Sequence, residues 1–76
     1  MIESKYEPYY NQFIELARKK SYKNEDIKML GLLALTKNAI KLYGSIDKSF
    51  VRLIEITKKC ETSKEAFDII GTEIGI

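Results

Sequence analysis

The residue best suited to chemistry in this chain is its single cysteine, Cys60, which follows Lys58 and Lys59. Neighbouring cations lower the pKa of a thiol and make it more nucleophilic. The 76-residue sequence has no histidine, however, so it lacks the commonest general base and has no partner for a Cys–His pair. A free cysteine usually packs as a small apolar residue, which is the role we expect of Cys60 at the end of a helix. One cysteine without histidine also excludes structural zinc.

Paired carboxylates are the remaining route to acid–base catalysis. Three pairs fall where helices are predicted to begin, and carboxylates there stabilise the positive end of the helix dipole. The glycines form no phosphate-binding loop, and no calcium-loop spacing is present. We therefore expect no enzyme activity, no catalytic residue, no cofactor and no bound metal. The three pairs are Glu3/Glu7, Glu25/Asp26 and Glu61/Glu65.

Residues 36–58 resemble a helix-turn-helix, the motif that places its second helix in the major groove of DNA. A short first helix would end at Gly44, and a polar helix start would follow. The resemblance implies that the second helix reads DNA. Its groove-facing residues would be Lys48, Ser49, Arg52 and Glu55.

Aromatic residues are concentrated on and just after the first predicted helix. One helix buries only one stripe of side chains, so these rings cannot all face a core. Tyrosines are favoured at protein interfaces because the ring is apolar and the hydroxyl is polar. Two interpretations remain open, namely rings along the seam of a bundle or a contact surface for a partner or a second copy. The predicted contact surface consists of Tyr6, Tyr9, Tyr10, Phe13 and Tyr22.

These residues must be positioned by helices, because helical spacing of apolar residues recurs along the chain and no strand pattern persists. Ser4 with Glu7, and Thr62 with Glu65, fit capping boxes, and Asn24 is the expected cap of a second helix. We predict an all-α compact bundle of four short helices, or five if the second helix breaks near Thr36. Their expected ranges are about 4–20, 24–43, 46–59 and 63–73.

The second predicted helix contains an apolar run from Met29 to Leu35, which indicates a helix covered on every side at the centre of the bundle. Gly71 and Gly75 weaken the last turns of the fourth helix, so we expect the tail to fray unless it docks. The predicted core consists of Phe13, Leu16, Ile27, Leu30, Leu33, Ala34, Ile40, Phe50, Leu53, Ile54, Phe67 and Ile70.

Composition fits one small helical domain over residues 1–76, with 45% hydrophobic and 32% charged residues and a net charge of +2. The densest basic cluster, Arg18 to Lys23, lies at a predicted helix end, where cations are favourable. A single cysteine fits a reducing compartment. We expect no signal peptide and no membrane partner, because no apolar run approaches the length of a bilayer span. The expected location is cytoplasmic.

The sequence thus favours a non-enzymatic interaction protein. It would be a small adaptor or inhibitor that modulates a larger protein partner through surface contact, with a homodimer as a related form. Small chains of this kind are often encoded by viruses and mobile elements. The alternative is a DNA-binding transcription regulator that uses residues 36–58. Duplex binding that weakens steeply with salt would distinguish the alternative from the first prediction.

Overall fold

Five helices make up most of residues 6–75, the part of the chain that the computed structural model describes. No strand occurs within this part, so the predicted all-α bundle is confirmed. The helices are α1 (Glu7–Lys19), α2 (Asn24–Ala34), α3 (Lys37–Tyr43), α4 (Ile46–Lys59) and α5 (Ser63–Ile74).

The start of α5 is the predicted capping box. Thr62 Oγ1 accepts a hydrogen bond from the amide of Glu65 at 3.2 Å, and Glu65 Oε1 accepts one from the amide of Thr62 at 3.1 Å. Each side chain thereby satisfies a backbone amide that has no partner within the helix. Ser4 of the other predicted box lies outside the described residues. Asn24 does not cap α2 but is its first residue, and Lys23 occupies the cap position.

The predicted helix 24–43 is broken at Thr36, which has extended backbone angles of φ −69° and ψ 155°. Its hydroxyl donates a hydrogen bond to the carbonyl of Leu33 at 2.8 Å and accepts one from the amide of Ala39 at 3.2 Å. A threonine hydroxyl offers the backbone an alternative to continued helical bonding. The same side chain therefore ends α2 and begins α3.

Helices α1 and α4 lie side by side and run in the same direction. Near their amino ends, Tyr6 and Tyr10 pack on the ring of Phe50. Near their carboxyl ends, the ammonium group of Lys20 donates a hydrogen bond to the carbonyl of Lys58 at 2.8 Å. Helix α4 contacts each of the other four helices and supplies the central stripe of the core. Its buried residues are Ser49, Phe50, Leu53, Ile54, Ile56 and Thr57.

The prediction that neighbouring helices cover α2 on every side is wrong. The side chains of Met29 and Leu32 are 53% and 55% exposed. Helix α2 contributes a single stripe to the core, since its buried positions are spaced three and four residues apart. These buried residues are Ile27, Leu30, Gly31 and Ala34.

The tail does not fray within the described residues, because the end of α5 docks on α3. Ile74 is buried, and Asn38 Nδ2 donates a hydrogen bond to the Ile74 carbonyl at 3.0 Å. The helix ends at Gly75, whose positive φ of 78° is typical of a glycine cap. Docking therefore compensates for the weak helix propensity of Gly71.

Most of the predicted core residues are buried. Leu16, Leu33, Ile40 and Phe67 are only half-buried, and three of these four border the core as partly covered apolar side chains. The core also contains buried residues that the predicted core does not include, namely Ala17, Tyr22, Ala39 and Ile56. Cys60 is buried at the end of α4, as expected of a small apolar residue, and Ala66 and Ile74 of α5 are buried as well.

Candidate interaction surface

The tyrosines of α1 cover the core instead of forming a free aromatic surface. The Tyr6 ring stacks on Phe50 with 5.5 Å between centroids and an interplanar angle of 20°. The Tyr10 ring meets Phe50 edge-on at 5.5 Å and 77°. Tyr6 and Tyr9 are half-buried, and Tyr10 is 37% exposed. Of these three residues of the predicted contact surface, only Tyr10 presents a large part of its ring to solvent.

Two residues of the predicted contact surface are buried, so that part of the prediction is corrected. Phe13 lies on the inward stripe of α1 and is fully buried. Tyr22 lies in the turn after α1, and its hydroxyl donates a hydrogen bond to the Cys60 carbonyl at 2.6 Å. Burial raises the pKa of Tyr22 to about 12. Both side chains therefore belong to the buried core of the bundle.

The four predicted groove-facing residues of α4 do not form one free surface. Ser49 is fully buried, and its hydroxyl donates a hydrogen bond to the carbonyl of Ala34 at 2.7 Å. Arg52 is half-buried and pairs with two carboxylates, including Glu55 at 3.3 Å. Lys48 is exposed. The prediction is therefore wrong for Ser49, whose position on α4 turns it toward α2 and away from solvent.

Arg52 also forms the main polar cluster of the molecule, which joins α3, α4 and α5. Its Nε donates a hydrogen bond to Glu73 Oε1 at 3.0 Å, and its Nη2 pairs with Glu73 Oε2. The Tyr43 hydroxyl donates to Glu73 Oε1 at 2.5 Å. The Arg52 hydrogen bonds lower the pKa of Glu73, whereas burial and the bond to Glu73 raise the pKa of Tyr43 to about 12. Near neutral pH the carboxylate is ionised and the phenol is protonated, so the cluster holds three helices together.

Cys60 is buried at the end of α4, and burial raises the pKa of its thiol. A protonated, inaccessible thiol is a poor nucleophile. Its backbone carbonyl accepts hydrogen bonds from Tyr22 and, at 3.3 Å, from Lys20 Nζ. Among the described residues, no group of three or more histidine, cysteine or acidic side chains is arranged to hold a metal ion.

Lys20 connects the two basic segments of the chain. Its ammonium group donates hydrogen bonds to the carbonyls of Lys58 and Cys60 at the carboxyl end of α4, where the last carbonyls have no partner within the helix. The cations of α1 and α4 therefore meet at the end of the bundle where two negative helix-dipole ends coincide. Helix-dipole stabilisation accounts for this clustering without a ligand.

Two of the three most exposed large apolar side chains of the described residues lie on one side of α2. We call this side the α2 face and define it as Met29, Leu32 and Leu35, the last of which directly follows the helix. These side chains are 53%, 55% and 38% exposed. On the inward side, a Cβ atom at Gly31 would lie 3.7 Å from Tyr10 Cε1, so α1 packs closely against α2 there. The inward stripe takes four residues of the helix, Leu33 borders the core, and Met29 and Leu32 turn outward. The segment from Met29 to Leu35 thus has more apolar residues than one inward stripe can hold. The prediction overlooked this signal in the sequence.

No protein family, curated protein or solved structure matches this chain. Within residues 6–75, no helix combines the length and apolar character needed to cross a membrane.

Proposed function

We propose that this protein is a non-enzymatic helical interaction protein, an adaptor or inhibitor that modulates a larger protein partner by binding it through the α2 face. The exposure of Met29 and Leu32 is the observation that supports the proposal. Fully burying such a side chain contributes about 1.5–3 kcal/mol, so the exposed half of each supplies roughly 1 kcal/mol to an interface.

The test is affinity capture with purified protein as bait, followed by a binding measurement with the purified captured partner. We expect the double variant Met29→Gln/Leu32→Gln to lose most of the affinity, because glutamine retains the size and helix propensity but not the apolar surface. The matched control is Val51→Gln, which changes an exposed apolar residue on α4. Equal affinity of wild type and the double variant would refute the proposal.

A DNA-binding regulator is the second candidate, and one observation favours it. Helices α3 and α4 are joined by a short turn in which Gly44 has φ 109°, much as the helix-turn-helix resemblance predicts. Against it, Ser49 is buried and Arg52 is paired with Glu73. Fluorescence anisotropy with a random DNA duplex at about 50 and 200 mM salt decides the matter, since phosphate contacts weaken steeply over that range. Binding that Lys48→Ala reduces would support this candidate, and no binding would remove it.

A further inference from the structure

The two sulfur atoms of the described residues are in opposite environments. Met29 is 53% exposed on the α2 face, whereas Cys60 is buried at the end of α4. Burial also raises the pKa of the Cys60 thiol, so the thiol stays protonated near neutral pH. Oxidation of either residue requires exposure, and oxidation of cysteine also requires the thiolate. An oxidant in solution therefore reaches the sulfur of Met29 and not that of Cys60.

The position of Met29 makes its oxidation a change of the surface and not of the fold. Met29 belongs neither to the buried core nor to the apolar side chains that border it. The stripe of α2 that packs on the core contains Ile27, Leu30 and Ala34 instead. A sulfoxide within a core disrupts packing, but at position 29 it adds a polar oxygen on the solvent side of the helix. The bundle therefore stays folded, and the property that changes is the apolar character of the α2 face.

From these two observations, we propose that Met29 is a reversible oxidation site, and that its conversion to the sulfoxide prevents the α2 face from binding its partner. The inference rests on the proposed role of the α2 face as a binding surface. The oxidant is a peroxide. With hydrogen peroxide, a sulfur lone pair attacks one oxygen, the O–O bond breaks, and an S–O bond forms. Sulfur is oxidised by two electrons, and the other oxygen takes up the remaining proton and leaves as water.

The reverse step needs a reductase and a dithiol. Methionine sulfoxide reductases remove the sulfoxide oxygen as water, while two thiols supply the electrons and become a disulfide. Each of the two reductase classes reduces one epimer of the sulfoxide. Oxidation of Met29 can therefore be undone without synthesis of a new chain.

Oxidation weakens binding for two reasons. The sulfoxide removes the apolar contribution of the exposed half of Met29, which corresponds to about a fivefold change in affinity. Its oxygen is also a hydrogen-bond acceptor, and burying it against an apolar partner surface without a donor adds up to about another tenfold. The oxidised protein should therefore bind about fivefold to fiftyfold more weakly. Leu32 and Leu35 contain no sulfur, so the response of the face depends on one atom.

Treatment of the full chain with hydrogen peroxide, followed by peptide mass spectrometry, tests the site. We expect one added oxygen at Met29 of the native protein, at a rate within about threefold of that in the urea-unfolded chain. Cys60 should be oxidised only after unfolding. The Tm should change by less than about 4 °C, as for other exposed positions. A native Met29 that resists peroxide, or a sulfoxide that unfolds the bundle, would overturn the proposal.

Met29→Leu is the matched variant, because leucine has a similar volume and helix propensity but no sulfur. The variant retains Met1 and Cys60, so it reports any effect of peroxide at other sulfur atoms. It should bind the purified captured partner like wild type and keep that affinity after peroxide treatment. Wild type should lose affinity on oxidation and regain it after incubation with both reductases and dithiothreitol.

Retention on a hydrophobic-interaction column measures the apolar character of the surface without the partner. Oxidation should shorten the retention of wild type and leave that of Met29→Leu unchanged. Equal sensitivity of the two proteins to peroxide, in either measurement, would assign the effect to another residue and refute the proposal.

The two proposals fail in different ways. If the double variant Met29→Gln/Leu32→Gln loses the partner but oxidised wild type still binds it, only the control of binding by oxidation is excluded. If the double variant binds the partner normally, the α2 face is excluded as the binding surface, and control through Met29 is excluded with it.

Discussion

Replacing Tyr22 with phenylalanine removes one hydroxyl from a buried junction and leaves the ring in place. That hydroxyl donates to the Cys60 carbonyl at 2.6 Å, linking the turn after α1 to the end of α4. The carbonyl does not lose every partner, because Lys20 Nζ also donates to it at 3.3 Å. The cost is therefore that of one net hydrogen bond, about 1 kcal/mol, without the added penalty of an unsatisfied buried group. For a domain of this size, we expect the Tm of Tyr22→Phe to fall by about 4–8 °C.

The same variant should change how stability depends on alkaline pH. In the folded state the pKa of Tyr22 is raised from 10.0 to about 12, so above pH 10 the unfolded chain loses this proton first. The contribution of Tyr22 is complete below pH 10 and is lost as the pH rises toward 12. Tyr43 behaves in the same way, since its pKa is also about 12. Tyr22→Phe should therefore lose less stability than wild type as the pH rises above 10, with Tyr43 accounting for the loss that remains.

Thermal unfolding followed by circular dichroism measures the shift in Tm. Urea unfolding, repeated at several pH values from neutral to about pH 11, measures the pH dependence of stability. Tyr10→Phe is the control, because its ring packs on Phe50 and is partly exposed to solvent. We expect that control to match wild type. An unchanged Tm together with an unchanged alkaline slope for Tyr22→Phe would show that the Tyr22 hydroxyl does not stabilise the junction.

Four further predictions concern the rest of the bundle. Glu73→Gln should cost about 1–3 kcal/mol in urea unfolding, because it leaves the Arg52 guanidinium without its main partner. It should also reduce the loss of stability on acidification, since the lowered pKa of Glu73 stabilises the fold above pH 4.5 and that contribution disappears as the pH falls further. In thermal melts Gly71→Ala should stabilise the protein by about 0.5–1 kcal/mol, because no atom lies within 4 Å of the added Cβ. Gly44→Ala should destabilise it by about 1–2 kcal/mol, because its φ of 109° is unfavourable for alanine. Cys60 should react with a thiol reagent only as fast as the protein unfolds, and rapid labelling of the native protein would contradict its burial.

The helix ends were predictable where a local side chain determines them. The capping box at Thr62 and the turn at Gly44 depend only on neighbouring residues, and both are confirmed. The sequence did not decide between one continuous helix and two helices that meet at Thr36. Threonine is tolerated within a helix, and it acts as a cap only when the chain turns. The packing of α3 against α4 and α5 favours the broken helix over the continuous one.

The candidate surface was less predictable, because it depends on which helices become neighbours. Spacing alone places Tyr6 and Tyr10 on one face of α1, but it does not reveal that Phe50 receives both rings. An all-apolar segment indicates a covered helix only when enough neighbours are available, and a bundle of 76 residues leaves Met29 and Leu32 uncovered.

The parallel pairing of α1 and α4 has a consequence for how the chain is made. The hydrogen bond from Tyr22 to Cys60 joins residues 38 positions apart, so α1 is synthesised long before the helix that it contacts most. At about 5–20 residues per second, translation of that interval takes roughly 2–8 s. During those seconds Phe13 and the tyrosines of α1 have no ring or helix of α4 to pack against. Helix α1 therefore completes its packing only after residues 46–60 have been synthesised, so the core of the amino-terminal part of the domain depends on the part of the chain that is made last.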